Sequence, residues 1–189
     1  KNSFYRAAHV IPWGVSSDEI PALLPTTRPV DVLGVASLIP LKNWELWLKT
    51  ISIVAESNPD LSAELIGDGP QRKHLERLAE QLNIRHLIHF SGDLPRPQVL
   101  QKMREAKILL HCSAFESQGY VLCEAAMNGC RLVATPVGIA PLMAECAETA
   151  SDLAALILTA IEQPLLTNPV TPFLMQQTVR AYLELYATP

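Results

Sequence analysis

Short apolar runs alternate with segments of helical period through residues 31–163, and this alternation restricts the fold more than any other feature of the sequence. Residues 32–36 form a Val-rich run typical of a buried strand, and the apolar residues of 43–57 then recur near a 3.6-residue period, as in a helix. The repeated pattern predicts an α/β fold, with a parallel sheet covered by helices on both faces. The predicted strands are residues 32–36, 61–66, 87–90, 108–111 and 132–134, and the predicted helices are residues 43–57, 71–82, 97–106, 119–128 and 151–163.

The composition excludes several classes of protein. Hydrophobic residues make up 49% and charged residues 18% of the 189 residues, the opposite of an intrinsically disordered chain. A net charge of −4 argues against a basic nucleic-acid-binding face, so no nucleic acid is expected as a partner. The chain has no run of about 18 uncharged apolar residues, and we predict no transmembrane segment.

The cysteines and prolines add two expectations. None of the four cysteines forms a C-x-x-C pair or lies at metal-ligand spacing from a His, so reduced, mostly buried thiols in a cytoplasmic protein are predicted, with no metal site. Prolines punctuate residues 10–30 and 164–172. Because proline fixes φ and donates no ladder hydrogen bond, both segments are predicted to be extended linkers.

Ligands of open parallel sheets bind beyond the carboxyl ends of the strands, so the segments that follow each predicted strand are candidate binding residues. The first of them lacks G-x-G-x-x-G but contains Lys42 at a helix start, where the helix dipole does not favour a cation. Lys42 is therefore either a solvated side chain or the partner of a bound anion. His111 ends the fourth predicted strand, as a half-buried residue or as a sugar contact.

Residues 113–129 contain the most informative pattern. Glu116 and Glu124 flank Gly119, which begins a predicted helix. The free N–H groups and positive dipole of a helix N-terminus bind phosphate, and glycine lets it approach the backbone closely. Glu124 could then accept hydrogen bonds from a ribose diol, and Glu116 could reach sugar hydroxyls. The alternative is two carboxylates that only decorate a loop and a helix start.

In order along the chain, these motifs resemble those of the family 4 (group 1) retaining glycosyltransferases of GT-B fold, from about Val10 to Tyr186. The E-x7-E signature corresponds to Glu116 and Glu124. Further matches are residues 9–15 to V-I-P-N-G-V, 35–43 to V-G-R-L-x-x-x-K-G, 64–70 to L-x-I-V-G-D-G-P, 90–92 to F-x-G, 115–129 to F-E-G-x-G-x-x-x-x-E-A-x-A-x-G and 132–138 to V-V-A-T-x-V-G-G.

The resemblance implies a Rossmann-like domain that binds a UDP-, GDP- or ADP-sugar without a metal or other cofactor. Glu124 would bind the ribose and Glu116 a hydroxyl of the sugar, and Lys42 would be the cation of the diphosphate. The acceptor hydroxyl is the nucleophile in this family and the leaving phosphate its base, so no enzyme nucleophile is expected. The remaining donor-site residues implied by position are Gly119, Tyr120 and Val121 for the diphosphate, Gly92, Asp93 and Leu94 for the base, and Ser37 and His111 beside them.

The resemblance also implies a division of the chain. Residues 1–30 would be an interdomain linker, residues 31–163 the donor-binding domain of five to six strands, and residues 164–189 a Pro-rich linker with a C-terminal helix. This helix would return to an N-terminal acceptor domain that the sequence does not include. The isolated domain is then expected to be inactive, and the complete protein could associate peripherally with a membrane.

Several positions depart from the family pattern. Ser37 replaces the arginine of G-R-L, so one of two expected diphosphate cations is absent, and Asn43 and Ser117 replace glycines. Only about residues 145–150 are available for a sixth strand, which is predicted to be short or absent. Two alternatives stay open at this point. One is a degenerate domain that serves as an interaction module, and the other is a GT-B nucleotide-sugar epimerase.

Overall fold

The computed structural model describes residues 11–170 and 173–187, which form a six-stranded parallel sheet in the order β3-β2-β1-β4-β5-β6. This confirms the predicted α/β fold, including its C-terminal helix. The strands are β1 Val30–Val35, β2 Ala63–Ile66, β3 Ile88–Gly92, β4 Ala106–His111, β5 Arg131–Ala134 and β6 Glu145–Cys146, and the helices are α1 Trp44–Ser57, α2 Arg72–Gln81, α3 Arg96–Glu105, α4 Tyr120–Met127, α5 Ala150–Glu162 and α6 Met175–Ala187.

Successive side chains of the strands pack alternately into two separate hydrophobic cores, one on each face of the sheet. In β1, Val32 packs with α1, α2 and α5, whereas its neighbour Leu33 packs with α3 and α4. Both are fully buried, as expected where successive side chains of a strand point to opposite faces. The apolar runs of the strands are continuous rather than alternating for this reason.

The pair Trp44 and Trp47 packs on the sheet, edge to face, with ring centroids 6.0 Å apart. Both residues are buried, and Gly34 of β1 makes room for them. A Cβ atom at Gly34 would lie 2.7 Å from the Trp44 ring and 2.8 Å from Trp47 Nε1. These aromatic residues therefore anchor α1 to β1.

The strand order reverses between β1 and β4, and this switch point positions the loops after both strands. β1 pairs in parallel with β4, with Leu33 opposite Leu109, so the carboxyl ends of the two strands are adjacent. The loops meet beyond them, where the Ala114 N–H donates to the carbonyl of Leu41 over 2.9 Å. This is the point at which ligands bind in open α/β sheets.

The predicted linkers lie against the domain and against each other in their described parts. Val15 forms a parallel bridge with Leu174, with hydrogen bonds from Val15 N to Phe173 O (3.0 Å) and from Met175 N to Val15 O (2.9 Å). Residues 1–10, including the start of the V-I-P-N-G-V match, and residues 171–172, including Pro172, lie outside the described residues, as do residues 188–189.

Arg28 joins the first of these segments to the domain. It is buried, and its Nη1 donates to the carbonyls of Ala106, at 2.8 Å, and Gly129, at 2.6 Å. Burial lowers the pKa of its guanidinium, with the nearby Cys130 thiol opposing that shift. The guanidinium thus supplies a charged donor to buried carbonyls at the ends of two helical segments.

We predict that Arg28→Met lowers the free energy of unfolding by about 3 kcal/mol, because the two carbonyls lose a charged donor. Urea denaturation measures the change. Arg180→Met is the matched control, since Arg180 is an exposed side chain of α6 that pairs with Glu184, and it should leave stability unchanged. Equal losses of unfolding free energy in the two variants would show that the buried hydrogen bonds of Arg28 do not stabilise the fold.

Candidate functional site

Lys42 and Glu116 form an ion pair at the switch point, across the loops that follow β1 and β4. Lys42 ends the 3₁₀ helix Pro40–Lys42, and its Nζ lies 2.5 Å from Glu116 Oε1. Their side chains are only 21% and 14% exposed. Lys42 is thus held in the site rather than solvated.

Asn43 turns the chain from this 3₁₀ helix into α1. It has φ 50° and ψ 48°, the left-handed conformation, which asparagine tolerates better than other residues with a Cβ. The replacement of the family's glycine by Asn43 therefore leaves the local backbone intact.

Three side chains converge on Glu116 Oε1. Besides Lys42, the hydroxyl of the buried Ser113 donates to it at 2.8 Å, and His111 Nε2 lies 3.1 Å away. Burial raises the pKa of Glu116, but the hydrogen bonds from Lys42 and Ser113 and the charge of Lys42 together outweigh it, so the pKa lies below its usual value. Glu116 is held as a carboxylate in one orientation.

His111 is also a buried member of this cluster, at 5% exposure. Burial lowers the pKa of its imidazole, and Lys42 adds to that effect while Glu116 opposes it, so the ring is neutral near pH 7. Within the described residues its Nε2 makes no aligned hydrogen bond, despite its distance from Glu116. This nitrogen is therefore a buried polar atom that lies beside Glu116 rather than in solvent.

Gly119 brings the N-terminus of α4 to the same cluster. It has φ 87°, and a Cβ atom at its position would lie 3.8 Å from Glu116 Cγ. Helix α4 begins at Tyr120, and in the described chain the N–H groups of Gly119, Tyr120 and Val121 donate to no backbone carbonyl. The site thus combines a cation with three unpaired N–H groups, as anion sites at helix N-termini do.

Glu124 lies one turn into α4, with its side chain 13% exposed. Its Oε1 accepts a hydrogen bond from Arg96 Nε at 2.7 Å, and Arg96 Nη1 also donates to Glu19 at 2.6 Å. Burial raises the pKa of the neighbouring Tyr120, and so do the charges of Glu19 and Glu124. Sequence reasoning did not single out Arg96, although only Pro95 separates it from the predicted base-binding segment.

The residues predicted at the base form a different part of the site. Ser37, Asp93 and Leu94 line a cavity of about 260 Å³ at the carboxyl ends of β1 and β2. Gly92 borders it with φ 72°, and its carbonyl accepts a 2.8 Å hydrogen bond from Gly67 N–H. The predicted site residues thus lie at one edge of the sheet, in a cation–carboxylate cluster, a helix N-terminus and this cavity.

All four cysteines are free, and Cys112, Cys123 and Cys130 are buried. Burial raises the pKa of the Cys123 thiol to about 11 and that of Cys130 to about 12, which keeps both protonated and unreactive. No group of three or more metal-ligating side chains occurs within the described ranges. In the same residues, no helix is long and apolar enough to cross a bilayer.

Comparison with known proteins gives consistent matches. The profile of the family "Glycosyl transferases group 1" matches residues 16–163. The phosphatidylinositol N-acetylglucosaminyltransferase gpi3 subunit of Schizosaccharomyces pombe is 31% identical over 100 residues, which are 53% of this chain and 22% of that protein. The chain therefore spans less than a quarter of the length of this curated relative.

Two solved structures share the fold. A variant of S. aureus TarM, in complex with fondaparinux, α-GlcNAc-glycerol and UDP, superimposes with a TM-score of 0.75 at 15% identity, over 89% of this chain and 38% of TarM. The C-terminal domain of the group 1 glycosyl transferase LpcC from Francisella tularensis superimposes with a TM-score of 0.64 at 18% identity, over 72% of this chain and 77% of that one. The architecture is that of a C-terminal GT-B-type domain.

We predict that His111 makes the fold sensitive to mild acid. The folded state keeps His111 neutral, because burial lowers its pKa, whereas the unfolded chain binds a proton near its ordinary pKa of 6.5. Stability therefore falls as the pH drops from about 7.5 to about 5.5, by at most about 1.4 kcal/mol per pH unit for this one proton. Thermal or urea unfolding across this range should show a shallower pH dependence for His111→Gln.

The exposed His86 provides the control for that measurement. His86→Gln should keep the pH dependence of the wild-type chain. If His111→Gln retains the full slope as well, the acid sensitivity belongs to other groups.

Proposed function

The chain belongs to the group 1 glycosyl transferases, and on that premise we propose that it binds the nucleoside diphosphate sugar donor of a retaining glycosyltransferase. The observation that carries the proposal is the cluster of Lys42, Glu116 and the α4 N-terminus at the switch point of the sheet. A cation and free N–H groups suit a diphosphate, and a fixed carboxylate beside them suits a sugar hydroxyl. No cofactor is invoked.

In the proposed reaction, the bond between the anomeric carbon and the diphosphate oxygen breaks while the acceptor oxygen bonds to the same face of that carbon. The proton of the acceptor hydroxyl passes to the departing phosphate, so no side chain has to act as nucleophile. Lys42 and the N–H groups of Gly119, Tyr120 and Val121 stabilise the charge that develops on the leaving group. Donors fixed in advance, as Lys42 is by Glu116, avoid reorganisation during this step.

The other site residues have complementary roles in this proposal. Glu116 accepts a hydrogen bond from a hydroxyl of the donor sugar, and His111, whose Nε2 lies 3.1 Å from Glu116 Oε1, is the second residue assigned to the sugar. Glu124 accepts hydrogen bonds from the ribose. Gly92, Asp93 and Leu94 contact the base in the cavity beside Ser37. The UDP in the TarM structure makes uridine the first base to test, before guanine and adenine.

The acceptor side of the reaction is assigned to an N-terminal domain of the complete protein. The outer face of α6 supports a contact of that kind, since Val179, Leu183 and Tyr186 recur on it at helical spacing and are exposed. Without that domain the chain binds the donor but transfers nothing. The proposed acceptor is a hydroxyl of a glycan or glycolipid, in the cytoplasm or at a membrane surface to which the complete protein binds peripherally.

The runner-up is a degenerate domain that only mediates interactions. Ser37, in place of the family's arginine, is the one observation that favours it. The formed Lys42–Glu116–Ser113 geometry favours the donor site instead, because a site without a ligand has no need of this arrangement.

We predict that UDP-, GDP- or ADP-sugars shift the amide NMR signals of Gly119 and Glu124, and that Glu124→Ala weakens binding of the best of them at least about tenfold. Loss of a charged acceptor for two hydroxyl groups has this magnitude. Glu80→Ala removes an exposed carboxylate from α2 and should bind like the wild-type chain. If no nucleotide sugar shifts these signals, or if Glu124→Ala binds equally well, the proposed function is wrong.

We further predict that Ser37→Arg strengthens binding of UDP about fivefold, which is the effect of one partly exposed phosphate contact of about 1 kcal/mol. Ser37 is exposed at the edge of the cavity, so a longer side chain can be accommodated. Calorimetry should show no such gain for uridine, which lacks phosphates. Ser37→Gln is the uncharged control, and an equal gain with it would exclude a missing cation as the cause.

A further inference from the structure

Arg96 connects two carboxylates from distant parts of the chain. It is the first residue of α3, and its guanidinium contacts Glu124 of α4 at 2.7 Å and Glu19, the last residue of the 3₁₀ helix Ser17–Glu19, at 2.6 Å. The hydrogen bonds that Arg96 donates to Glu19 and Glu124 raise the pKa of its guanidinium, which therefore stays charged across the physiological pH range.

The position of Arg96 is unfavourable without this bridge. A cation in the first turn of a helix opposes the helix dipole, and α3 has no acidic residue in that turn to compensate it. The two carboxylates supply the compensation from outside the helix. The bridge therefore stabilises Arg96 in a place where the local sequence does not favour a cation.

The bridge also orders Glu124. Arg96 donates from Nε to Oε1 of Glu124 over 2.7 Å, a charge-assisted hydrogen bond. Among the described residues, no hydrogen bond is directed to Oε2. Because the side chain is largely buried, this contact leaves the carboxylate one fixed orientation, with one oxygen occupied and one available.

We propose that Arg96 is a positioning residue for ribose recognition, which holds Glu124 so that Oε2 accepts hydrogen bonds from the ribose diol. The inference rests on the proposed function of Glu124. Glu19 holds the other side of the guanidinium, so the N-terminal segment of the chain contributes to the ribose site without contacting the nucleotide. A carboxylate fixed before binding loses less side-chain entropy when the ribose arrives, which strengthens the complex.

The test compares UDP with 2′,3′-dideoxy-UDP, which lacks both hydroxyls that Glu124 would bind. Calorimetry on the wild-type chain and on Arg96→Gln should show about tenfold weaker binding of UDP to the variant and no difference for the dideoxy compound. ADP and GDP are titrated in parallel, each with its dideoxy counterpart. Arg96→Lys keeps the charge but not the planar fork, and an intermediate loss is expected.

Arg104→Gln is the matched control. Arg104 also lies on α3 and also contacts α4, where its Nε donates to Asn128 Oδ1 at 2.8 Å, but it meets the opposite end of that helix from Gly119. This variant should bind both nucleotides as the wild-type chain does. Thermal melts of both variants exclude unfolding as the cause of any loss.

A double-mutant cycle tests the part of Glu19. Glu19→Gln should weaken UDP binding about threefold when Arg96 is present and have no further effect in Arg96→Gln. Additive losses would show that Glu19 does not act through Arg96, and the inference would be wrong in that part.

The outcomes separate the two proposals. If the wild-type chain binds UDP and Glu124→Ala weakens it, but Arg96→Gln binds UDP normally or loses the same factor for the dideoxy compound, Arg96 is not a positioning residue. If none of the three nucleoside diphosphates binds the wild-type chain, the proposed function fails and this inference fails with it.

Discussion

After β1 the chain crosses over toward β2, whereas after β4 it crosses in the opposite direction, toward β5. Because β1 and β4 are adjacent and parallel, the loops that follow them meet beyond the strand ends. The hydrogen bond between Ala114 and Leu41 fixes that meeting, and the Lys42–Glu116 ion pair forms directly beside it. The packing of both faces supports this geometry, since Gly34 lets the two tryptophans of α1 press against β1. Each part of the candidate site lies at this edge of the sheet, where the strand ends position it.

The charges of the site are arranged in pairs. Glu116 is neutralised by Lys42, and Glu124 by Arg96. Unpaired carboxylates at these places would repel a diphosphate, because like charges repel each other more strongly where solvent is partly excluded. With cations beside them, the same carboxylates can still accept hydrogen bonds from hydroxyl groups of the proposed donor. This pairing would reconcile two acidic residues with the anionic ligand that is proposed.

The helices and strands were largely predictable, because the spacing of apolar residues and the turn residues determine local secondary structure. The helix α4 and the short β6 are examples, the latter reduced to Glu145–Cys146 as the limited sequence there predicts. Lys42 and Glu116 could be assigned to one site, since both follow strands that end at the same edge. Their direct pairing, and the convergence of His111 and Ser113 on one oxygen, depend on side-chain conformations that no spacing encodes.

Arg96 shows the limit of sequence reasoning more clearly. Its partner Glu19 is 77 positions away, on a segment whose prolines predict only an extended chain. That segment is extended in part, as the prolines indicate, but Val15 pairs with Leu174, and Arg28 is buried under the domain. Contacts of this kind arise from tertiary packing and leave no local period or motif in the sequence.

The bridge between Val15 and Leu174 has a mechanical consequence. Two chain segments that run side by side resist twisting about their common axis more than a single strand does, while bending across them stays easy. Thr178 strengthens this double connection, since its hydroxyl donates to Pro12 O at 2.7 Å and accepts from Gly14 N–H at 3.0 Å. Segments that are far apart in the sequence are thus held to each other by both backbone and side-chain hydrogen bonds, beside the domain that contains the Lys42–Glu116 pair.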